Sequence, residues 1–390
     1  MAKCTYQHDN RVLTVDFDSI IDRQSTYSFK WQRYKGKDVI PLWVADSEFR
    51  CAEPIIKALH DRVEHGVYGY HLPAEYEPAN NAVVRWLEDK HDWQIKPEWI
   101  VWTPGVVPAF NTACKAYCKE GDRVLVQQPN YPPMLAAPEL NNLKKEAIDT
   151  VLVDGRWTLD FEQLEQKAAL PDTRLFIMCN PMNPVGSVMT EQELAQVEQI
   201  CLKHDVVLCS DEIHCDLILD ESAKHIPAGK LAEIGSRSIT LMAASKTFNI
   251  AGLGTSFAII PDPKVRAQFT RASAGIVPWV NFMGLVATEV AFTQCDDWHQ
   301  AQLPYLRDNL DYVEQQVAEI DGLSFIRPQS TFLAWIDASG LNTDDVQKYM
   351  ESKGVGPSPG RDFGWPQFSR INFACRRSLL EQAFARIKAV

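Results

Sequence analysis

The hydrophobic positions of the chain form short apolar runs that alternate with stretches of helical spacing from about residue 95 onward. Short apolar runs are typical of buried strands, and apolar residues repeating every three to four positions are typical of helices that cover a sheet. The predicted strands are 100–103, 123–128, 175–179, 206–210, 238–242 and 256–260, with one helix that follows the first strand and ends near residue 118 and another over 191–204. Strands that alternate with helices predict a mainly parallel sheet with both faces covered.

The pattern changes after residue 285. A long helix is predicted over about 308–318, and short apolar runs follow at 324–326, 331–336 and 370–373. This order predicts a smaller α+β lobe with its own antiparallel sheet. We therefore expect three units, namely an N-terminal segment over 1–45 that packs with the small lobe, a large domain over 46–285 and a small domain over 286–390.

Length, charge and cysteine usage narrow the class of protein. A length of 390 residues is sufficient for two lobes with a large buried core. The net charge of −12 disfavours nucleic acid and anionic membrane surfaces as partners, because an acidic chain repels both. No run approaches the roughly 20 apolar residues that span a bilayer, and the N-terminal residues lack the apolar core of a signal peptide. The ten cysteines include no Cys-x-x-Cys pair, which indicates reduced thiols in a cytoplasmic protein.

The residues that follow each predicted strand are the candidates for chemistry, because the carboxyl ends of parallel strands meet at one edge of a sheet. The first strand is followed by a Gly105 turn that leads into a helix, and the free N–H groups of a helix N-terminus suit an anion such as phosphate. The second strand is followed by Tyr131, which would stand above the same edge. Taken alone, such a turn is more often a structural connection, and such a tyrosine is more often part of a surface loop.

Two further strands end in polar residues. The strand over 175–179 leads into Asn180-Pro-Met-Asn-Pro-Val-Gly186, where two Asn-Pro steps and a closing glycine make a rigid loop that can aim one side chain, Asn183. The strand over 206–210 leads into Asp211, an acid whose burial is costly unless it pairs with a cation.

Asp211 is followed by Glu212, His214 and Asp216, and these four residues raise the alternative of a metal site. Residues on an extended segment alternate between two faces, so the four side chains are not expected on one side. No second histidine lies at the spacing of a helical metal motif. We therefore expect no metal.

Lys246 lies among small residues directly after the predicted strand over 238–242. Loss of water around a lysine lowers its pKa, so that the amine can act as a nucleophile and then as a base. The alternative is a peripheral lysine without this chemistry. An anion-binding turn, Asn183, Asp211 and Lys246 each follow a strand, so together they could build one site.

Three motifs resemble the core of the fold type I enzymes that use pyridoxal 5′-phosphate (PLP). They are Asn180-Pro-Met-Asn-Pro-Val-Gly186, Ser210-Asp-Glu-Ile-His214 and Ser245-Lys-Thr-Phe-Asn249. Within that superfamily the chain resembles the MalY/PatB group of cystathionine β-lyases, through Trp43-Val-Ala-Asp46, His65-Gly-Val-Tyr-Gly-Tyr70, Thr103-Pro-Gly-Val-Val-Pro108 and the continuation of the lysine motif to Leu253. The resemblance spans nearly the whole chain. It implies an aspartate-aminotransferase-like α/β fold, with a mainly parallel seven-stranded sheet between helices and a smaller α+β domain.

The resemblance implies a role for each candidate residue. Lys246 would bind PLP covalently through its amine, and Asp211 would pair with the protonated pyridine nitrogen. Asn183 would hydrogen-bond to the phenolic O3′, and His214 would face the same oxygen. Tyr131, which is placed with Lys246 among the catalytic residues, would stack on the ring.

The resemblance also implies how phosphate and substrate are held. The N–H groups of Val106 and Val107 and the hydroxyl of Ser245 would bind the phosphate, with Tyr70 reaching it across a dimer interface. Arg370 would bind the α-carboxylate of an amino-acid substrate as a two-pronged donor. We therefore expect a homodimer with the active site at the subunit interface.

Two positions depart from the family pattern. Many aminotransferases carry a phosphate-binding arginine eight residues after the lysine, where this chain has Gly254. The lyase group often has Asp-Met-Asp-Phe near the N-terminus, where this chain has Asp46-Ser-Glu-Phe49. Because that segment approaches the substrate, the preferred substrate side chain stays open.

The implied activity is a β-elimination that splits the Cβ–S bond of L-cystathionine or another cysteine S-conjugate into a thiol, pyruvate and ammonia. Lys246 would remove the α-proton. Transamination is the first alternative, because it shares every step up to loss of that proton, although His214 and the absent arginine favour the lyase. The second alternative is a protein of the same fold that binds a partner and has little catalysis, which the presence of Lys246, Asp211 and Asn183 disfavours.

Overall fold

The computed structural model describes residues 4–8 and 11–389. Residues 1–3 and 9–10 of the predicted N-terminal segment, and the last residue of the predicted small domain, lie outside the described residues. The strands are β1 (Cys4–His8), β2 (Arg11–Val15), β3 (Ile40–Pro41), β4 (Ile100–Thr103), β5 (Arg123–Gln128), β6 (Lys144–Val153), β7 (Arg156–Leu159), β8 (Thr173–Cys179), β9 (Val207–Asp211), β10 (Ile239–Met242), β11 (Ser256–Ile259), β12 (Ser324–Phe325), β13 (Leu333–Asp337), β14 (Val355–Gly356), β15 (Ser358–Pro359) and β16 (Phe368–Asn372). The α-helices are α1 (Phe29–Gln32), α2 (Glu53–His65), α3 (Glu77–His91), α4 (Val106–Tyr117), α5 (Pro132–Leu140), α6 (Phe161–Ala168), α7 (Glu191–Lys203), α8 (Pro263–Ser273), α9 (Phe282–Gln294), α10 (Asp296–Ala318), α11 (Val346–Ser352) and α12 (Arg377–Lys388).

The central sheet is mainly parallel, as predicted, and has the order β4-β11-β10-β9-β8-β5-β6-β7. β11 is antiparallel to both of its neighbours, and β7 is antiparallel to β6. The sheet therefore has eight strands rather than the seven expected, because a hairpin turn at Asp154 and Gly155 adds β7 beside β6. Both turn residues have positive φ, 49° and 77°, which is the conformation that a two-residue hairpin requires.

Alternate side chains of the central strands enter two different cores, which is the period-2 pattern of a sheet covered on both faces. Leu175 and Ile177 of β8 belong to one core, with residues of α4, α5 and α8. Phe176 and Met178 belong to the other, with residues of α6 and α7. This burial on both faces explains why the strands read as continuous apolar runs in the sequence.

The second sheet is antiparallel, with the order β12-β13-β16-β15. It packs with α10 and α12, and β3 of the N-terminal region pairs with β14 beside it. The strand β3 lies within residues 1–45 and β14 within the predicted small domain. The division into three units stays a prediction.

Helix α10 begins at Asp296, well before the predicted start near residue 308. Pro304 lies inside it, and an internal proline removes one helical hydrogen bond. Trp298 before the proline and Leu306 after it are buried in the same core, so tertiary packing sustains the helix through this position. Within the described ranges, none of the helices combines the length and the apolar character that a membrane span requires.

Candidate active site

A cavity of about 440 Å³ lies at the carboxyl ends of the central strands. The ends of β4, β8, β9 and β10 contribute one side of it, and β15, β16 and the segment 43–45 contribute the other. Nine of the ten predicted site residues line this cavity, namely Val106, Val107, Tyr131, Asn183, Asp211, His214, Ser245, Lys246 and Arg370. The tenth, Tyr70, does not.

Lys246 lies four residues after the end of β10, and its amine donates a hydrogen bond to the Ala45 carbonyl at 2.6 Å. Loss of solvent lowers the pKa of Lys246 to about 8, although the negative charges of Asp46 and Asp211 oppose the shift. The positive charge of Arg370 lowers the pKa of Lys246 further. A substantial fraction of this amine is therefore neutral near pH 8, as a nucleophile requires.

Asp211 is the last residue of β9 and is buried. Burial raises the pKa of its carboxyl to about 7, and the hydrogen bond from the Ile213 N–H at 3.1 Å and the charge of Lys246 only partly oppose this. His214 is buried beside it, and loss of solvent, followed by the charges of Lys246 and Arg370, holds the imidazole pKa well below its usual range. The site therefore contains a neutral histidine and a carboxyl group that would become fully ionised beside a cation.

Glu212 and Asp216 point away from the cavity and bind buried histidines. Glu212 accepts a hydrogen bond from the Ala228 N–H at 2.8 Å and lies 2.8 Å from the His225 imidazole. Asp216 lies 2.9 Å from the His91 imidazole. The three acids and one histidine of the metal alternative are thus divided between two faces, which does not support a metal bound by all four.

A different group of three buried residues, His91, Cys215 and Asp216, brings potential metal-binding atoms within 4.8 Å of one another in the described part of the chain. The Asp216 carboxylate also accepts from the Trp86 indole at 3.2 Å. Since hydrogen bonds within the protein already occupy this carboxylate, we interpret the group as a structural network.

Asn183 is held by the rigid loop that follows β8. Gly186 closes the loop with a φ of 72°, and a side chain there would place its Cβ 2.3 Å from the Cβ of Pro328. Only glycine fits this position. The Asn183 side chain is consequently directed into the cavity, where its Oδ1 accepts a hydrogen bond from Arg370 at 2.9 Å.

Arg370 lies on β16 and is buried, and loss of solvent lowers its pKa to about 10. Besides Asn183, its guanidinium donates to the Trp43 carbonyl at 2.7 Å and the Ser358 hydroxyl at 3.2 Å. The guanidinium carbon lies 4.7 Å from the centre of the Phe363 ring. A guanidinium has five N–H groups, so three bonds leave two donors, one of them the buried Nε–H, which has no partner among the described residues. Two free donors on one buried arginine suit a carboxylate.

Helix α4 begins at Val106, and its first turn contains no acidic residue. Gly105 precedes it with a φ of 136°, and no side chain caps the free N–H groups. Ser245 lines the same cavity. This uncapped helix N-terminus can bind an anion.

Tyr131 is the N-cap residue directly before α5, lines the cavity and has a pKa raised by burial. Tyr70 is fully exposed and lies with Tyr68 and Trp279 along a separate groove. The expectation that Tyr70 reaches the site of a second subunit stays a prediction.

Several lining residues had no assigned role in the sequence. Trp43 and Ala45 belong to a motif that resembles the lyase group, but their backbone carbonyls, which accept from Arg370 and Lys246, carry no sequence signal. Phe363 and Ser358, which contact Arg370, lie in a region without a recognised motif. Arg33 and Asp362 also line the cavity.

Comparison with known proteins places the chain among PLP enzymes of related sequence. Cystathionine beta-lyase PatB from Bacillus subtilis (strain 168) is 36% identical over 387 residues, which cover 96% of this chain and 99% of PatB. The crystal structure of OvoB is 42% identical, with a TM-score of 0.92 over 95% of this chain and 98% of OvoB. Cystalysin from Treponema denticola, whose structure contains PLP, is 32% identical, with a TM-score of 0.91 over 96% of this chain and 98% of cystalysin.

A family model described as aminotransferase class I and II matches residues 37–387. The matched range contains every strand of the central sheet and of the second sheet, and every cavity residue from Trp43 to Arg370. The chain therefore belongs to the aminotransferase class I and II family.

Proposed function

We propose that this protein is a PLP-dependent carbon–sulfur β-lyase. Its substrates would be L-amino acids that carry sulfur on Cβ, such as L-cystathionine, and its products a thiol, pyruvate and ammonia. One observation carries the proposal: a single cavity combines a lysine of lowered pKa, a buried carboxyl group and a buried arginine with two free donors. The extent of similarity to PatB and cystalysin supports the lyase over other members of the family.

The residues of the cavity fit PLP. The buried Asp211 carboxyl has a raised pKa and lacks a bonded cation among the described residues, and a protonated pyridine nitrogen would supply one. The buried Nδ1 of His214 also lacks a partner among them, on the same side of the cavity. The free N–H groups at the start of α4 suit the phosphate, even though Gly254 replaces a family arginine. When bound, PLP supplies a sink for the electrons released at Cα.

The side chains of the cavity would then divide the remaining tasks. Lys246 would bind the cofactor and, once free, take the proton from Cα, after which the Cβ–S bond breaks and the thiolate leaves. Arg370 would hold the α-carboxylate, which fixes the orientation of the Cα–H bond. Asn183 would bind the phenolic oxygen of the cofactor, and Tyr131 would cover the ring.

We also propose that the protein is a homodimer of the cytoplasm. The fully exposed Tyr70 and its aromatic neighbours Tyr68 and Trp279 support an interface at which Tyr70 reaches the phosphate site of the partner. Nine free thiols among the described residues support a reducing compartment.

The deciding experiment incubates the purified protein with L-cystathionine or S-methyl-L-cysteine, without any keto acid, and follows both pyruvate and the absorbance of bound PLP. We expect sustained release of pyruvate. The Lys246→Ala variant should lose turnover, and Lys57→Ala, at an exposed lysine that pairs with Asp61 on α2, should keep it. Full turnover in Lys246→Ala would contradict the proposal.

The same experiment tests the two alternatives. A PLP band without pyruvate, followed by amino transfer once a keto acid is added, would identify an aminotransferase. The absence of both reactions with PLP bound would favour a partner-binding protein.

A further inference from the structure

The two cationic side chains of the cavity, Lys246 and Arg370, both bind the same short segment of backbone. Lys246 donates to the Ala45 carbonyl at 2.6 Å, and Arg370 donates to the Trp43 carbonyl at 2.7 Å. We refer to residues 43–49 as the strap. Its first three residues line the cavity, and its last four do not. The strap therefore connects a lysine that follows the central sheet with an arginine of the second sheet.

Asn249 closes the lysine motif and takes no part in the roles proposed for the cavity. Its side-chain amide donates to the carbonyls of Ser47 at 3.1 Å and of Phe49 at 2.8 Å, and it accepts from the Ser47 N–H at 3.2 Å. The φ of Asn249 is 56°, a left-handed conformation that asparagine adopts more readily than most residues. Three hydrogen bonds from one side chain thus fix the strap to the turn that carries Lys246.

Asn372 binds the strap from the second sheet. It lies on β16, two residues after Arg370, and is buried. Its side-chain amide donates to the Val44 carbonyl at 2.5 Å and to the Asp46 carbonyl at 2.7 Å. These two carbonyls lie on either side of Ala45 along the chain. The two asparagines thus hold the strap through hydrogen bonds that involve no charged group.

The acidic side chains of the strap pair with the N-terminal region instead of lining the cavity. The ammonium of the buried Lys30 lies 2.9 Å from the Glu48 carboxylate and 3.6 Å from the Asp46 carboxylate. Arg23 donates to Asp46 at 3.0 Å and to Glu48 at 3.4 Å. Glu48 is one of the positions that depart from the lyase pattern. This departure therefore changes the support of the strap and leaves the lining of the cavity unchanged.

We propose that Asn249 and Asn372 are positioning residues of the proposed lyase, which hold the strap against Lys246 and Arg370. The strap forms part of the wall of the cavity, so its position controls how much water reaches the Lys246 amine. This role rests on the function proposed above, in which that amine captures PLP.

A loosened strap admits water to the Lys246 amine. Loss of solvent is the main cause of its lowered pKa, so hydration raises this pKa from about 8 toward the ordinary value near 10.4. The fraction of neutral amine at neutral pH then falls, and the capture of PLP slows with it.

The test measures the rate of PLP capture by the cofactor-free protein between pH 6 and pH 10, by stopped-flow absorbance. For Asn249→Gly and Asn372→Ala we expect the pH midpoint of this rate to rise by about one unit, and the rate at pH 7 to fall about tenfold. Neither substitution changes a charge. Both keep the groups that face the Lys246 amine, namely Asp46, Asp211, His214 and Arg370. A shifted midpoint therefore reports a displaced strap.

Each variant has a matched control. Asn142→Gly changes an exposed asparagine with the same φ of 56°. Asn80→Ala changes a buried asparagine whose side chain bonds to the Ala74 carbonyl and the Trp102 indole. None of these four residues lines the cavity. Both controls should keep the wild-type midpoint, including where urea unfolding shows an equal loss of stability.

Wild-type midpoints in Asn249→Gly and Asn372→Ala would overturn the proposal, since the two asparagines would then only stabilise the fold. Equal shifts in the controls would also overturn it, because any loosening of the fold would then have the same effect. If Asn372→Ala does not fold, Asn249→Gly and its control decide the question. Shifted midpoints in a protein that releases no pyruvate from L-cystathionine would retain the role of the asparagines toward Lys246 and reject the lyase.

Discussion

At the scale of single residues, the amine of Lys246 shows how burial and charge compete. Loss of solvent lowers its pKa to about 8, while the carboxylates of Asp46 and Asp211 act to raise it. An unperturbed lysine has a pKa near 10.4 and would be almost fully protonated at neutral pH. The cavity thus prepares a nucleophile that the same residue on the surface would not provide.

This shift predicts how the cofactor-free protein captures PLP. Only the neutral amine attacks an aldehyde, so the rate should rise about tenfold per pH unit below pH 8 and level off above it. Stopped-flow absorbance of added PLP between pH 6 and pH 10 measures this rate. A rate that continues to rise to pH 10 would mean that Lys246 titrates as an ordinary lysine.

At the scale of elements, the segment that starts at the end of β9 is fixed by buried hydrogen bonds on one face and lines the cavity with the other. Asp211 and His214 line the cavity, whereas Asp216 turns away and bonds to His91 and Trp86. Burial alone would raise the pKa of Asp216, but the hydrogen bond and charge of His91 hold it below the usual range. Because its pKa is lowered in the folded state, Asp216 stabilises the fold at pH values above the ordinary carboxyl pKa. This contribution is lost as the pH falls through the lowered pKa.

We therefore expect Asp216→Asn to lower the free energy of unfolding at pH 7 by about 1–3 kcal/mol, because His91 and Trp86 lose a charged acceptor. Urea unfolding of the PLP-bound protein measures this change. Asp61→Asn removes a carboxylate from an exposed pair on α2 and should have little effect. Equal stability of Asp216→Asn and the wild type would show that the network does not anchor the segment.

The start of α4 is a second element whose geometry depends on one residue. Gly105 has a φ of 136°, where a side chain costs about 1–3 kcal/mol. Gly105→Ala should therefore shift the N–H groups of the first turn and raise the Kd for PLP about tenfold. Gly121→Ala, at a φ of 86° in a turn with open space around it, serves as the control. Fluorescence titration measures both, and an unchanged Kd in Gly105→Ala would remove α4 from the phosphate site.

At the scale of the whole molecule, Tyr70 would bind the phosphate of PLP in the partner subunit of the proposed dimer, since it does not line the cavity of its own chain. Tyr70→Phe should raise the Kd for PLP about tenfold through the loss of one charge-assisted hydrogen bond. Tyr68→Phe is the matched control, because the Tyr68 hydroxyl already donates to the Val63 carbonyl of its own chain at 2.7 Å. Light scattering should report a dimer for all three proteins. A monomer with full activity would contradict the interface.

The sequence predicted six of the eight strands of the central sheet, because the apolar run of each of these six is largely buried and is a local feature. It also predicted which polar residues follow those strands. Nine of the ten predicted site residues lie in one cavity. The hairpin strands β6 and β7 and the early start of α10 were missed. Asp154 and Gly155 are a recognisable hairpin signal that could have indicated the former, whereas Pro304 masks the latter.

The sequence by itself therefore determined the fold class and the identity of the reactive groups, since periodicity and strand-end chemistry are local properties. Only the tertiary structure decided how those groups meet. The bond between Asn183 and Arg370 joins residues 187 positions apart, and the Ala45 carbonyl that accepts from Lys246 lies 201 positions away. The lowered pKa of Lys246 and the raised pKa of Asp211 follow from burial and neighbouring charges. Burial is a property of the packed cavity, and no local stretch of sequence encodes it.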